Sequence, residues 1–90
     1  MIKMWHDLAW EEYLYWQTQD KKTLKKINRL LKDIDRNGYE CSGKPEPLRG
    51  NLSGYWSVRI DEQNRIVFRI IGEQLEIMQC GTHYGDKKSK

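Results

Sequence analysis

The sequence has little of what metal sites, disulfide frameworks and membrane segments require. Its 90 residues include two cysteines, two histidines and two prolines. Cys41 and Cys80 are far apart and lack CxxC spacing, so we expect reduced thiols in a cytoplasmic protein. No apolar run approaches the length needed to cross a bilayer, and no basic segment with a long apolar run near the N-terminus predicts a signal peptide.

Known catalytic motifs are absent as well. The histidines and cysteines do not have the spacing of metal ligands, and there is no HExxH pattern, no DxD pattern and no glycine-rich phosphate loop. We therefore expect neither a metal nor a cofactor. The net charge is +3, of which the segment Gly85 to Lys90 supplies +2. Because the remaining chain is weakly charged, anion binding must depend on where its charges lie.

Hydrophobic periodicity predicts a single α+β domain. Met1 to Trp5 alternates as a strand, and one helix follows from Asp7. A second helix follows with Asp20 as its expected cap and ends at Asn37-Gly38. The chain then passes through a loop into three short β-segments: Tyr55 to Ile60, Arg65 to Ile71, and Leu75 to Cys80. Tight links between these segments require antiparallel neighbours. We predict an N-terminal strand and two helices, with the helices packed on one face of an antiparallel sheet.

Each predicted helix has an apolar face. In the first, we expect the face of Trp10, Tyr13, Leu14 and Gln17 to point inward and Glu12 to point away, with Asp7 as a cap. The second helix has an apolar stripe consisting of Leu24, Ile27, Leu30, Leu31 and Ile34. Its other side is basic, with Lys22, Lys25, Lys26, Arg29, Lys32 and Arg36. This basic face is either an RNA-backbone contact or an ordinary solvated surface.

The first candidate functional residue is Glu46, which lies between the only two prolines in the stretch KPEP. A residue before proline favours extended conformations, and proline fixes its own φ, so Lys44 and Glu46 should both be extended in a stiff loop. Stiffness lowers the entropy lost in holding a carboxylate in place, which suits a general base. The alternative is a loop shaped by proline with Glu46 in water.

Arg59 and Arg65 flank a predicted turn. A link of three or five residues places them opposite each other on one face, whereas two or four residues separate them. Together they would form a fork suited to phosphate. The alternative is two solvated arginines. We expect Arg69 to lie on a solvent face.

His83 and Tyr84 follow the last predicted strand. The imidazole of His83 can donate a proton to a leaving alkoxide, and Tyr84 offers a ring on which a nucleobase can stack. His6 lacks such neighbours and is interpreted as a structural or surface residue. A constrained Glu, paired Arg, a His and an aromatic are the parts that metal-free RNA cleavage needs.

Four stretches of the chain resemble the YoeB/Txe toxins of the RelE superfamily. They are WEEYLYWQ from Trp10, KKIN from Lys25, GKPEPL from Gly43, and NLSGYWSVRI from Asn51. The resemblance continues to His83-Tyr84 with collinear spacing. It implies a microbial-ribonuclease-like, RelE-like fold in a domain of residues 1–84, followed by a basic tail of residues 85–90.

The resemblance also implies a function, namely a metal-independent endonuclease that cuts mRNA in the ribosomal A site and inhibits translation. Glu46 would then be the general base, Arg65 the transition-state stabiliser and His83 the general acid. Arg59, Arg49, Lys44 and Tyr84 would bind RNA. The implied partners are a YefM/Axe-like antitoxin, the 70S ribosome with its mRNA, and a second copy of the chain. The tail GDKKSK departs from the family pattern and leaves the resting orientation of Tyr84 open.

Two other functions fit the residues. One is a non-catalytic module that binds RNA or the ribosome through the basic helix. The other is an interaction protein whose exposed sheet edge pairs with a peptide, which is compatible with antitoxin binding.

Overall fold

The elements form where hydrophobic periodicity places them. A computed structural model of the chain describes residues 1–82. It contains strand β1 (Ile2–Trp5), helices α1 (Asp7–Gln19) and α2 (Lys21–Asn37), and strands β2 (Glu46–Pro47), β3 (Trp56–Arg59), β4 (Asn64–Ile71) and β5 (Gln74–Thr82). Single 3-10 turns occupy Gly38–Glu40 and Gly50–Leu52. The predicted α+β class, an N-terminal strand and two helices packed on a sheet, is confirmed.

The strands form one five-stranded sheet in the order β1-β5-β4-β3-β2. The predicted antiparallel pairing holds from β3 to β5, and β2 adds to β3 in the same way. Strand β1 lies parallel to β5, so the sheet is mixed. The two helices that follow β1 make this pairing possible, since parallel neighbours need a long connection. The short strand β2 also lies inside a segment that we expected to be a loop.

Helix α2 supplies one side of the core, as its apolar stripe predicts. Asp20 caps the helix by accepting hydrogen bonds from the backbone N–H groups of Lys22 and Thr23, at 3.1 and 3.2 Å. The buried residues of the stripe are Ile27, Leu30, Leu31 and Ile34. They belong to one cluster with strand residues that include Val58, Ile66, Phe68, Leu75 and Ile77. Within residues 1–82, no helix is long and apolar enough to span a membrane.

Helix α1 faces the core differently from its predicted orientation. Ala9 is its buried residue, whereas Trp10 and Leu14 remain more than 40% exposed. The predicted cap is also wrong, because His6 occupies the N-cap position and makes no side-chain cap bond. Trp10 packs instead against Trp5, with ring centroids 5.5 Å apart.

Helix α1 has this orientation because its side chains pair with backbone groups at an edge of β5. Strand β1 ends at Trp5, opposite Ile77, and leaves the later part of β5 without a strand on that side. Glu12 accepts a hydrogen bond from the Cys80 backbone N–H at 2.8 Å, and the Trp16 indole donates to the Cys80 carbonyl at 2.9 Å. Two side chains of α1 therefore replace the missing strand, since buried backbone polar groups need partners. Glu12 points inward for this purpose, contrary to our prediction.

The sheet face opposite α2 carries a buried acidic group. The Glu76 side chain is 8% exposed and accepts hydrogen bonds from Arg69 Nε at 2.7 Å and the Tyr55 hydroxyl at 2.9 Å. His6 Nε2 lies 2.6 Å from Glu76 Oε2, the oxygen that also accepts from Tyr55, whereas Arg69 binds Oε1. The Arg69 guanidinium lies over the Tyr55 ring. Arg69 is thus part of an ion pair and does not simply face solvent, and His6 is structural, as expected.

This network makes stability depend on pH in acid. Burial alone would raise the pKa of the Glu76 carboxyl, but hydrogen bonds from Arg69, His6 and Tyr55 outweigh it and lower the pKa from 4.5 to about 2. Because the folded-state pKa is lowered, the stabilisation is complete above pH 4.5. It is lost as the pH falls from 4.5 towards 2, and a shift of this size corresponds to on the order of 3 kcal/mol.

We expect Glu76→Gln to lower the free energy of unfolding at pH 7 and to flatten its decline between about pH 4.5 and 2. Urea unfolding at a series of pH values measures both effects. Glu73→Gln is the matched control, since Glu73 is exposed in the β4–β5 turn. An acid profile of Glu76→Gln that coincides with that of the parent protein would contradict the assignment.

Candidate active site

The β3–β4 hairpin brings two arginines together. Arg59 is the cross-strand partner of Arg65, so the hairpin realises the alternative in which the two arginines are paired on one face. The Asp61 carboxylate shapes this turn by accepting hydrogen bonds from the backbone N–H groups of Gln63 and Asn64, each at 2.8 Å. Neighbouring strand residues such as Val58 and Ile66 belong to the core. Alternation therefore places both arginines on the opposite, open face of the sheet.

Glu46 reaches the same face through β2. It pairs with Ser57 of β3, and the ladder continues with a 2.9 Å hydrogen bond from Leu48 N–H to the Tyr55 carbonyl. The prolines thus flank a residue that is extended and tied to the sheet, as predicted for Glu46. The same prediction is wrong for Lys44, whose φ is 55°. The chain makes a turn there, with Lys44 N–H bonded to the Cys41 carbonyl at 3.2 Å, before it enters β2.

Gly43 allows this loop to approach the sheet closely. A Cβ atom at this position would lie 3.3 Å from side-chain carbons of both Leu30 and Val58, which is tighter than ordinary contact. A larger residue would push the loop away from β3 and carry Lys44 and Glu46 with it.

These residues enclose a cavity of about 240 Å³ on the open face. Its lining consists of Gly43, Lys44, Glu46, Ser57, Arg59 and Arg65. Arg65 is partly buried, and its Nη1 donates a hydrogen bond to the Ser57 hydroxyl at 3.3 Å. One carboxylate thus faces three cationic side chains across a small concave site. Such a site can bind a phosphate and hold a base close to it.

The structure unites some of the predicted site residues and not others. Glu46, Arg59, Arg65 and Lys44 line one cavity. Arg49 is exposed just before the 3-10 turn at Gly50–Leu52 and is not among the lining residues. His83 and Tyr84 lie outside the described residues. No group of three or more His, Cys, Asp or Glu side chains within residues 1–82 could hold a metal ion.

Two further depressions connect the cavity to helix α2. One, of about 550 Å³, shares Gly43 and Arg59 with the cavity and extends to Lys26 and Arg29. The next, of about 400 Å³, adds Lys22 and Lys25. Lys32 and Arg36 line another depression beside Arg29 and Ser42. The predicted basic face is therefore continuous with the cavity, and we call it the basic surface. The carboxylates of Asp61, Glu62 and Asp33 line the same depressions, where the cationic side chains outnumber them.

The sequence reasoning missed Ser57 and Glu76. Ser57 is 1% exposed yet lines the cavity. Period-two alternation from Arg59 would have placed Ser57 on the same face. Nothing local marks Glu76, because its partners are the N-cap residue of α1, a residue in the loop before β3, and a residue of β4.

The comparisons with known proteins agree with this fold. The family model described as YoeB-like toxin of bacterial type II toxin-antitoxin system matches residues 5–84. Toxin YoeB of Escherichia coli K12 is 49% identical over 84 residues, which cover 93% of this chain and all of that protein.

Two solved structures from Staphylococcus aureus are similar over 93% of this chain and 98% of theirs. A YoeB–YefM complex matches with a TM-score of 0.85 and 45% identity. A YoeB dimer matches with a TM-score of 0.84 and 46% identity. The family match, the curated relative and these structures confirm the resemblance seen in the sequence. This chain is a member of the YoeB-like toxin family of bacterial type II toxin–antitoxin systems.

Proposed function

We propose that this toxin is a ribosome-dependent mRNA endonuclease that cuts message in the A site and so inhibits translation. The observation that carries the proposal is the convergence of Glu46, Arg59 and Arg65 on one small cavity. The three residues come from three different strands, and an anion-binding fork beside a tethered carboxylate is what cleavage at a phosphodiester needs.

The reaction assigns one task to each residue. Glu46 takes the proton of the ribose 2′-hydroxyl, and the 2′-oxygen attacks the adjacent phosphorus. Arg65, assisted by Arg59, stabilises the negative charge of the phosphorane. The bond from phosphorus to the 5′-oxygen then breaks, His83 donates a proton to that oxygen, and a 2′,3′-cyclic phosphate remains. Lys44 and Arg49 would contact neighbouring phosphates, and Tyr84 would stack on a base.

The ribosome would meet the basic surface. Lys22, Lys25, Lys26 and Arg29 lie along the depressions that lead away from the cavity. Structured RNA presents a dense array of phosphates, so a cationic helix beside the reaction site can hold the toxin while the cavity receives message. Lys32 and Arg36 would extend this contact. Free protein would lack this anchoring and cut RNA poorly.

Two protein partners follow from the relatives. The S. aureus structures are a complex with YefM and a dimer, so we propose a YefM/Axe-like antitoxin and a homodimer for this chain in the bacterial cytoplasm. Strand β1 is an edge strand with exposed Ile2 and Met4, which suits pairing with another chain. We assign residues 1–84 to the toxin domain and residues 85–90 to a separate basic tail.

We expect Glu46→Ala and His83→Ala to abolish codon-phased cuts in message while leaving ribosome binding intact. Mapping of mRNA ends in a translating extract measures cleavage, and cosedimentation with 70S ribosomes measures binding. Loss of one general acid or base lowers a rate by roughly 10²–10⁴-fold. Equal growth arrest by parent and variants, with no cut message, would favour the non-catalytic RNA-binding module instead.

We expect cleavage to require no divalent ion beyond what the ribosome itself needs. A ribosome-free assay on a short RNA, run with excess chelator and then with added Mg²⁺, Mn²⁺ or Zn²⁺, should show the same weak activity throughout. Restoration of rapid cleavage by one metal would contradict the mechanism. Rapid cleavage of naked RNA at low protein concentration would contradict dependence on the ribosome.

We expect the triple variant Lys25→Gln, Lys26→Gln, Arg29→Gln to bind ribosomes more weakly. Its plot of log affinity against log salt should be shallower by about two to three units, because each lost phosphate contact removes about one. The matched control replaces Lys87, Lys88 and Lys90 of the tail by Gln, which changes the net charge equally. An equal loss in both variants would show that net charge, and not the basic surface, governs binding.

A further inference from the structure

Ser57 is a buried polar residue at the centre of the candidate active site. Its relative exposure is 1%, and it nevertheless lines the cavity. It pairs with Glu46 across the β2–β3 ladder and with Val67 across the β3–β4 ladder. Directly opposed residues in antiparallel strands have Cβ atoms about 4.5–5.5 Å apart. Ser57 therefore lies between the strand of the proposed base and the strand of the proposed cationic stabiliser.

The Ser57 hydroxyl also contacts that stabiliser. It accepts a hydrogen bond from Arg65 Nη1 at 3.3 Å. Among residues 1–82, the Arg65 guanidinium makes no other hydrogen bond. A long arginine side chain has much rotamer freedom, and fixing its orientation before substrate arrives reduces the entropy lost when it clamps a phosphate. A single buried acceptor at the cavity wall can supply that orientation.

The chemistry of the acceptor matters. Arg69, which is on the same strand as Arg65, forms an ion pair with the Glu76 carboxylate. This carboxylate neutralises the Arg69 charge, so Arg69 attracts other anions only weakly. A serine hydroxyl orients a guanidinium without adding negative charge, and the remaining N–H donors of Arg65 stay available. The two arginines of β4 thus contrast in function, one committed to a structural ion pair and one kept cationic in the cavity.

We propose that Ser57 is a positioning residue that holds the Arg65 guanidinium ready for the scissile phosphate. The proposal rests on the proposed endonuclease function. Ser57 would then raise the rate of cleavage by orienting Arg65, and it would have little effect on ribosome binding.

The activity test is a double-mutant cycle in single-turnover cleavage of ribosome-bound message. Ser57→Ala should slow cleavage about tenfold, the scale of a lost hydrogen bond to a charged group, while the affinity for ribosomes stays within about twofold. In an Arg65→Lys background the same change should have less than a twofold effect. Ser57→Thr, which keeps the hydroxyl, should retain most of the rate. Ser53→Ala is the matched control, since Ser53 is an exposed serine in the same NLSGYWSVRI stretch.

Additive losses in the cycle would overturn the proposal, since Ser57 would then act independently of Arg65. An undiminished rate for folded Ser57→Ala would overturn it as well. Melting temperatures of all variants identify a loss of cleavage rate that is merely due to unfolding. If Ser57→Ala is unfolded, the ¹⁵N relaxation of the Arg65 side chain in Ser57→Thr decides: an ordered side chain supports the proposal, and a mobile one overturns it.

A second measurement does not depend on catalysis. ¹⁵N relaxation of the Arg65 Nε–H group in the free protein should show an ordered side chain in the parent and in Ser57→Thr, and a more mobile one in Ser57→Ala. Unchanged order in Ser57→Ala would refute the positioning role. If the parent cuts no message while this difference in order is present, the endonuclease function fails and the Ser57–Arg65 contact stands.

Discussion

The site depends on the register of the β3–β4 hairpin. Arg59 faces Arg65 across the ladder. The Asp61 carboxylate holds the turn in this register by accepting hydrogen bonds from the backbone N–H groups of Gln63 and Asn64. A slip of one residue would send every side chain of one strand to the other face. The arginine of that strand would then enter the apolar core, and its neighbour, Val58 on β3 or Ile66 on β4, would face water. Burial of the core therefore enforces the register that assembles the site.

A second constraint is that the backbone groups at the edge of the sheet need hydrogen-bond partners. Strand β1 covers only the first part of β5, and helix α1 completes the rest with Glu12 and Trp16. Side-chain partners for the Cys80 backbone bring α1 against the sheet, and this explains why aromatic residues that seemed suited to the core remain at the surface. Gly81 belongs to the same arrangement, since a Cβ there would lie 3.0 Å from the Glu12 carboxylate.

The open face of the sheet separates two uses of charge. At one end, Glu76 gathers Arg69, Tyr55 and His6 into a closed network that stabilises the fold. At the other end, Arg59, Arg65 and Lys44 share a cavity with the single carboxylate of Glu46. An excess of cations there favours an anionic ligand, and the basic surface along α2 extends the same preference. The charges of the Glu76 network and those of the candidate site thus occupy one face without neutralising each other.

Much of this was determined by the sequence alone. Period-two and helical patterns identified the α+β class, the apolar stripe of α2 and its Asp20 cap, and the motifs GKPEPL and NLSGYWSVRI indicated the family. The tertiary structure decided three things that local patterns do not contain. These are the parallel pairing of β1 with β5, the inward orientation of the Glu12 side chain, and the hydrogen-bond network around Glu76. Each depends on at least one partner more than sixty residues away in sequence. A hydrogen bond across a sheet is set by which segments lie side by side and not by the residues next to it in sequence.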